Sequence, residues 1–493
     1  MKQGVKRTAR AFERPGRPAL HEVRVAALAV ALAAVGPVLV TPQASYAAEN
    51  EDIPAKRAAD GLLGGGPIVY DPPPSFRHEA RTCSPRVPLC VRSERTVPGT
   101  TILAVLASAE RAYSTLTGAL DLPAPDVDPD TLAYDVFLAE GETARTTLAA
   151  RDVRSNVDRA RSFTVLDARV RPGCSLDATM ARELARAALF RSAPATDRAS
   201  AIAQATYLSH LVAPCGVALE ADAVAEFQGH PDRAITDPNA GEVAPEIATW
   251  SWPPSRTSEL HMRGAALFWS RLDWAFGRNP GGIVRATWAL APSITPLNAP
   301  RWHDEPDVFD VLRFTFKNAL STGSTIADLM LDFAVARAFI GSSDDGFHQP
   351  EWRSVGEAGA VRLDWDIPWP HTPARFAPRA APAPTGSSYL LIHRDGAPKG
   401  SRLRAEIEWE QHALFRWAFV KLDKDGRELG RNVIATSERA TEAQMTLVDL
   451  DDADRVLVVG VNTGDPAFPF DPNDEVWEPH GWLVTLASED SAH

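Results

Sequence analysis

The sequence predicts an α+β protein whose last part is an all-β sandwich, and three observations carry that prediction. Between residues 99 and 341 apolar side chains recur mostly at helical spacing, with a few strand-like runs among them. Residues 342–386 are rich in Pro, Gly and Ala, including Ala380-Ala381-Pro382-Ala383-Pro384, and read as a linker. From residue 387 onward the pattern changes to period two: Leu403, Ala405, Ile407 and Trp409 alternate with charged residues, as on a half-buried strand.

In chain order, residues 1–47 read as a cleaved signal peptide. Lys2, Lys6, Arg7, Arg10, Arg14, Arg17 and Arg24 precede an apolar run from Val25 to Val40, and Ser45-Tyr46-Ala47 fits a small-x-small cleavage site. The apolar run is interrupted by Gly36 and Pro37 and falls short of the ~20 residues a span needs. The mature protein is therefore expected to be exported, periplasmic or extracellular, with no membrane span. Residues 48–98 read as irregular, with Gly64-Gly65-Gly66 and Pro72-Pro73-Pro74. Four cysteines in an exported chain suggest two disulfides. Three pairings exist in principle. The neighbour-to-neighbour pairing, Cys83 with Cys90 and Cys174 with Cys215, is expected because each pair brackets a natural unit.

A helix begins at Thr101, with Ile102, Val105, Leu106, Ala109, Tyr113, Leu116 and Leu120 on one face. Tyr134–Leu138 and Ser162–Val170 read as strands. A helix capped by Ser175 or Asp177 carries Arg182 to Arg186, and helices follow over 199–211, 219–227, 260–276, 307–320 and 325–340, the last opened by Thr325 and Asp328 as a capping box, with Gly341 as its stop. The C-terminal part yields roughly seven strands, with a hairpin turn at Asp425-Gly426. Trp250, Trp252, Trp269, Trp274 and Trp288 read as core residues.

The formal charge of −13 belongs to the whole chain, and the leader is itself basic, so the remainder is more acidic still. An acidic chain without a basic cluster argues against nucleic acid as a partner. No G-x-S-x-G, phosphate-binding loop or dinucleotide fingerprint occurs. Asp471, Asp474 and Glu475 read as a solvated turn rather than a calcium loop, and His303-Asp304-Glu305 as the opening of a helix.

Arg182-Glu183-Leu184-Ala185-Arg186 is the stretch that bears on function. In H-E-x-x-H, two histidines one turn apart bind zinc and the Glu polarises the attacking water. Here the Glu stands between two arginines, which share a helix face. Thirty-six residues after Arg186 comes Asp222-Ala223-Val224-Ala225-Glu226-Phe227, and later His261-Met262-Arg263-Gly264. The plain alternative is an ordinary salt-bridged helix face with no catalytic ancestry.

Taken together these segments resemble the gluzincin clan of metallopeptidases, in which H-E-x-x-H is followed by E-G-x-A-E-aromatic on a second helix and then by Y-x-K-G. Across residues 100–490 the chain is similar to secreted myxobacterial-type metalloproteases of that clan, which also end in a β-sandwich. The resemblance implies a metallopeptidase-like domain over 99–341 and a sandwich over 387–493. It makes Glu183 the relic general base, and Arg182, Arg186 and Asp222 the relic zinc-ligand positions. Glu226 is the supporting carboxylate, and His261 stands where an oxyanion-donating Tyr is found. Zinc is the cofactor of the family, but arginine has no lone pair to give a metal. Asp222 alone cannot hold a catalytic zinc, which takes three protein ligands and a water. No metal or other cofactor is expected, and an ion-pair cluster of Arg182 and Arg186 with Asp222, Glu183 and Glu226 is expected in its place. The function so implied is a secreted pseudopeptidase that binds peptide or protein partners. The rivals are a working hydrolase using Glu183, His261 and unaligned ligands, and a structural cell-envelope protein.

Overall fold

The computed structural model describes residues 72–151, 160–192, 196–237, 255–294, 307–316, 325–434, 436–437, 439–465 and 478–489. The leader, Trp250, Trp252, His303 to Glu305, and the turn at Asp471, Asp474 and Glu475 lie outside them. The described residues form a mixed α+β structure of three sheets and nine α-helices.

The first sheet holds β1 (Glu79–Cys83), β2 (Leu89–Glu94), β3 (Tyr134–Ala139), β4 (Arg145–Arg151) and β5 (Ala160–Asp167), in the order β1-β2-β3-β5-β4. The stretch before residue 98 is thus not all irregular. β1 and β2 are an antiparallel hairpin whose facing residues Cys83 and Cys90 form a disulfide. Leu89 and Val91 of β2 are fully buried, and that apolar alternation draws the hairpin into the sheet. Helix α1 (Gly99–Ser114) crosses over to make β3 parallel to β2, burying the predicted stripe from Ile102 to Tyr113. β5 lies parallel to β3, and β4 runs antiparallel to β5 at the sheet's edge.

The helices that follow are α2 (Cys174–Phe190), α3 (Arg198–Val212), α4 (Ala221–Gly229), α5 (Arg256–Gly264), α6 (Ala266–Phe276), α7 (Gly282–Ile294), α8 (Val308–Phe314) and α9 (Ile326–Arg337). The long helix expected over 260–276 is two, broken at Gly264-Ala265. A Cβ on Gly264 would stand 2.4 Å from the Ala223 carbonyl oxygen, so α5 lies against α4 as only glycine allows. α9 starts with the predicted capping box of Thr325 and Asp328. Its last residue, Arg337, is buried: its guanidinium donates to Gln228 Oε1 at 3.0 Å and to the Phe227 carbonyl at 2.7 Å. The Gln228 amide donates in turn to the carbonyls of Arg337 and Gly359. Among the tryptophans, Trp269 and Trp288 are core residues, but Trp274 is 49% exposed, with the Arg271 guanidinium over its ring.

The Pro-rich stretch is not a free linker. Trp352 and Val355 are buried within its 3₁₀ turns, and it supplies β6 (Trp365–Ile367) and β7 (Ala374–Phe376). The remaining strands are β8 (Ser387–His393), β9 (Arg402–Trp409), β10 (Phe415–Leu422), β11 (Glu428–Ile434), β12 (Glu442–Leu447), β13 (Arg455–Asn462) and β14 (Trp482–Glu489). One sheet runs β11-β10-β13-β8-β6 and the other β12-β9-β14-β7. Leu390, Ile392, Val456 and Val458 from the first meet Leu403, Ile407, Val484 and Leu486 from the second in a shared core. Trp417 faces Gly460 on β13, where a Cβ would fall 2.5 Å from the indole.

The other side of the β10-β13 sheet joins the main core. Tyr389, Val420, Leu422, Leu457, Val459 and Val461 belong to the same cluster as Met330, Phe333 and Ala334 of α9. An ion network edges this junction. Asp332 takes two hydrogen bonds from Arg271, at 2.8 and 3.0 Å, and a third from Arg431 of β11 at 3.3 Å. Arg431 also pairs with Glu428 at 2.6 Å, and Glu428 lies 3.0 Å from His348 Nε2.

Candidate functional site

α2 follows Gly173, whose φ of +139° suits glycine. Leu176, Met180, Leu184, Ala187 and Ala188 fix the helix in the core. Edge strand β4 is tied to it directly: the Thr146 hydroxyl donates to the Glu183 carbonyl at 2.9 Å.

The structure gathers charges around α2. Glu183 is buried. Its Oε1 lies 3.5 Å from Arg182 Nε, and its Oε2 has no hydrogen-bond partner among the described residues. Arg182, with 17% of its side chain exposed, also reaches Glu220 Oε1 at 3.8 Å. Glu220 Oε2 accepts from Arg263 Nε at 2.9 Å and pairs with Nη2 at 2.6 Å. Burial pushes the Glu220 carboxyl up, but the Arg263 and Arg182 guanidinium groups outweigh it and hold it below the usual carboxylate range. The Cys174–Cys215 disulfide positions this carboxylate, linking the first residue of α2 to the 3₁₀ segment Pro214–Glu220. Arg186 is half-buried, its guanidinium over the Phe190 ring, and burial pulls it below its ordinary value.

His210 of α3 faces the same cluster. It is buried, and neither ring nitrogen has a hydrogen-bond partner among the described residues. Burial lowers it to about 4; Glu220 opposes the fall, and Arg182 and Arg263 add to it. The ring is neutral at pH 7.

The other expected residues are placed elsewhere. Asp222 is 75% exposed and pairs with Arg256 at 3.5 Å. Glu220, two residues earlier, is the carboxylate that meets Arg182. Two residues are about 200° around a helix, so the two carboxylates point to opposite sides. The buried positions Ala223, Val224 and Phe227 give the signal that separates them, because their stripe extends back to 220 and not to 222. Glu226 pairs outside the cluster, with Arg233 at 3.0 Å and His230 at 3.5 Å. His261 is fully enclosed against Phe227, with Nε2 3.0 Å from the Ala234 carbonyl. It is a buried core group here. Burial lowers it to about 3, with the Ala234 carbonyl opposing.

The residues present do not fit zinc. Two of the motif positions are guanidinium groups, which lack a lone pair, and both Glu220 oxygens are already within ion-pair distance of arginines. Among the described residues no three His, Cys, Asp or Glu side chains gather as a metal site.

No family model matches the chain, and no curated protein does. Some solved structures share partial likeness. The pre-peptidase C-terminal domain of a Bacillus anthracis collagenase has 5% identity and a TM-score of 0.17, covering 26% of this chain and 97% of that one. The VP2 subviral particle of infectious bursal disease virus has 11% identity and a TM-score of 0.15, covering 23% and 33%. An insecticidal delta-endotoxin from Bacillus thuringiensis has 12% identity and a TM-score of 0.14, covering 24% and 20%. Likenesses at these scores assign no family and no function to this chain.

Proposed function

We propose that this chain is an exported pseudopeptidase: a gluzincin-like groove, followed by a β-sandwich, that binds extended peptide or protein segments without cleaving them. The observation that carries the reading is the ion pairing around Glu183 at the positions where the resemblance would put zinc ligands. Arg182 and Arg263 neutralise Glu220, and Arg182 also reaches Glu183, so the carboxylates of the site have cationic partners that cannot act as a Lewis acid. Edge strand β4 supports the binding half. Among the described residues its ladder partner is β5, its Thr146 is bonded to the Glu183 carbonyl of α2, and an extended segment added along its other edge would extend the sheet on which α2 packs. The two disulfides suit export, and no described helix is long and apolar enough to cross a membrane.

The test uses residues 48–493, incubated with labelled unfolded casein with and without a zinc chelator, and titrated with fluorescent extended peptides. No chelator-sensitive cleavage is expected. Saturable binding is expected, weakened by N-methylation of alternate peptide amides, which removes ladder donors. Chelator-sensitive cleavage would overturn the reading in favour of a working metallopeptidase.

A further inference from the structure

His348 lies between the 3₁₀ segments Gly341–Ser343 and Pro350–Gly359, at the edge of the junction of α9 with β11. Its ring is buried and stacks on Phe339, with centroids 4.1 Å apart and an interplanar angle of 5°. Nδ1 is 2.9 and 3.1 Å from the two carboxylate oxygens of Asp345. That carboxylate is fixed in turn by the backbone amides of Phe347 and His348. An ionised carboxylate only accepts, so Nδ1 carries a proton whether the ring is neutral or charged.

Nε2 has two partners with opposite requirements. It lies 3.0 Å from Glu428 Oε2 and 2.9 Å from Arg431 Nη2, and that Nη2 also donates to Glu428 Oε2 at 2.6 Å. A guanidinium only donates, so Nε2 can accept from Arg431 only while it is bare. Once protonated it can only donate, and Glu428 is the acceptor in reach. The two bonds exclude each other. The charged ring also repels Arg431, whose Nη1 stands 3.3 Å from Asp332 Oδ1. Protonation therefore draws Glu428 to the ring and presses Arg431 toward α9.

The charged groups around the ring come from four places. Asp345 is on its own turn, Glu428 and Arg431 are on β11, Asp332 is on α9, and Arg271 of α6 donates to the His348 carbonyl at 3.2 Å. Three carboxylates thus face two guanidinium groups, and an imidazolium balances them. Burial pulls His348 down, but Asp345 and Glu428 outweigh it and hold the ring above its ordinary value. Burial pushes Glu428 up, and His348 and Arg431 bring it down to about 2. The strand so held has a weak end. β11 borders its sheet, and its register to β10 shifts at Lys421 and Leu422, leaving Leu429 without a facing residue and 50% exposed.

We propose that His348 is a pH-sensitive latch on this border strand: the protonated ring grips Glu428 and holds the start of β11 to the helical part, and the neutral ring passes Nε2 to Arg431 and lets that end open more readily. The latch does not depend on what the protein binds.

The experiment is native-state hydrogen exchange of the mature chain between about pH 5.5 and pH 8.5, read over residues 428–434 and corrected for the chemical exchange rate at each pH. Opening returns the ring to its ordinary value near 6.5. The opening constant is therefore expected to be flat below about pH 6.5, to rise by up to about tenfold per pH unit above it, and to level off past the midpoint of the folded ring. Imidazole signals followed by NMR over the same range give that midpoint, which is expected above 6.5. The His348 signal is the one missing from His348→Gln. Glu428→Gln, at a partly exposed position, is expected to lower the same midpoint and flatten the exchange slope, so it assigns the signal even where His348→Gln fails to fold. A ring that titrates at or below 6.5 would overturn the latch, as would a flat exchange profile in the mature chain or a slope unchanged in Glu428→Gln.

Discussion

Burial outweighs the Ala234 hydrogen bond at His261 and the nearby Glu220 charge at His210, and the two rings are neutral in the folded protein, with pKa values of about 3 and about 4. In the unfolded chain they titrate near 6.5. As pH falls through 6.5 the unfolded chain takes up protons that the folded rings refuse. Their contribution is therefore full above about pH 6.5 and lost as pH drops toward the folded values, at up to ~1.4 kcal/mol per pH unit for each ring. His261→Gln can keep the bond to the Ala234 carbonyl and does not titrate. Urea unfolding between pH 6 and pH 4.5 is expected to show a pH slope smaller by ~1.4 kcal/mol per unit in this variant; an unchanged slope would mean the ring is not held neutral. At this scale the sequence was only partly legible. Arg182, Glu183 and Arg186 are read from a five-residue pattern; the structure sets Arg182 beside Glu183 and Glu220, and Arg186 over the Phe190 ring. That Asp222 faces outward while Glu220 faces inward is a matter of helix phase, which an aligned motif does not carry. His210 lies in no motif at all. It became visible only once α3 lay against α2.

Among the elements, the junction between α9 and β11 is tied by charge as well as by apolar contact. Arg431 bridges Asp332 of the helix and Glu428 of its own strand. Arg431→Met would leave both carboxylates one partner short, although Arg271 still holds Asp332. A loss of about 2–3 kcal/mol is expected in urea unfolding, below the ~3–5 kcal/mol of a fully enclosed pair because a quarter of the side chain is exposed. No change in midpoint would show the network to be incidental. Elements with strong periodicity were legible: the apolar stripe of α1, the Thr325–Asp328 start of α9, and the alternation along β9 all appear where the residues place them. The hairpin β1–β2 and the break at Gly264 were not. The first depends on a sheet assembled from residues forty positions away, and the second on how closely α4 approaches.

For the whole molecule, the helical part and the facing sheets share one apolar core, and the Tyr389 hydroxyl donates to the Ala334 carbonyl at 2.7 Å within it. Calorimetry of the mature, oxidised chain is therefore expected to show a single unfolding transition, with calorimetric and van't Hoff enthalpies in agreement. Two resolved transitions would show that the two parts fold independently. The change of period near residue 387 announces where strands dominate, but it says nothing of which face of the sheet is covered. A strand buried on both sides and one buried on a single side differ only in how many apolar residues interrupt the alternation, as Val456 to Val461 do on β13.

The stretch from 365 to 376 gives one short strand to each of the two facing sheets. For anyone dissecting the protein, the proline-rich stretch is therefore the wrong place to cut. A fragment beginning at residue 387 would leave both sheets without a border strand and bare the apolar side of β10 and β13. In evolutionary terms the C-terminal part is not a cassette that recombination could swap by breaking the chain there; a functional exchange would have to carry the preceding segment with it.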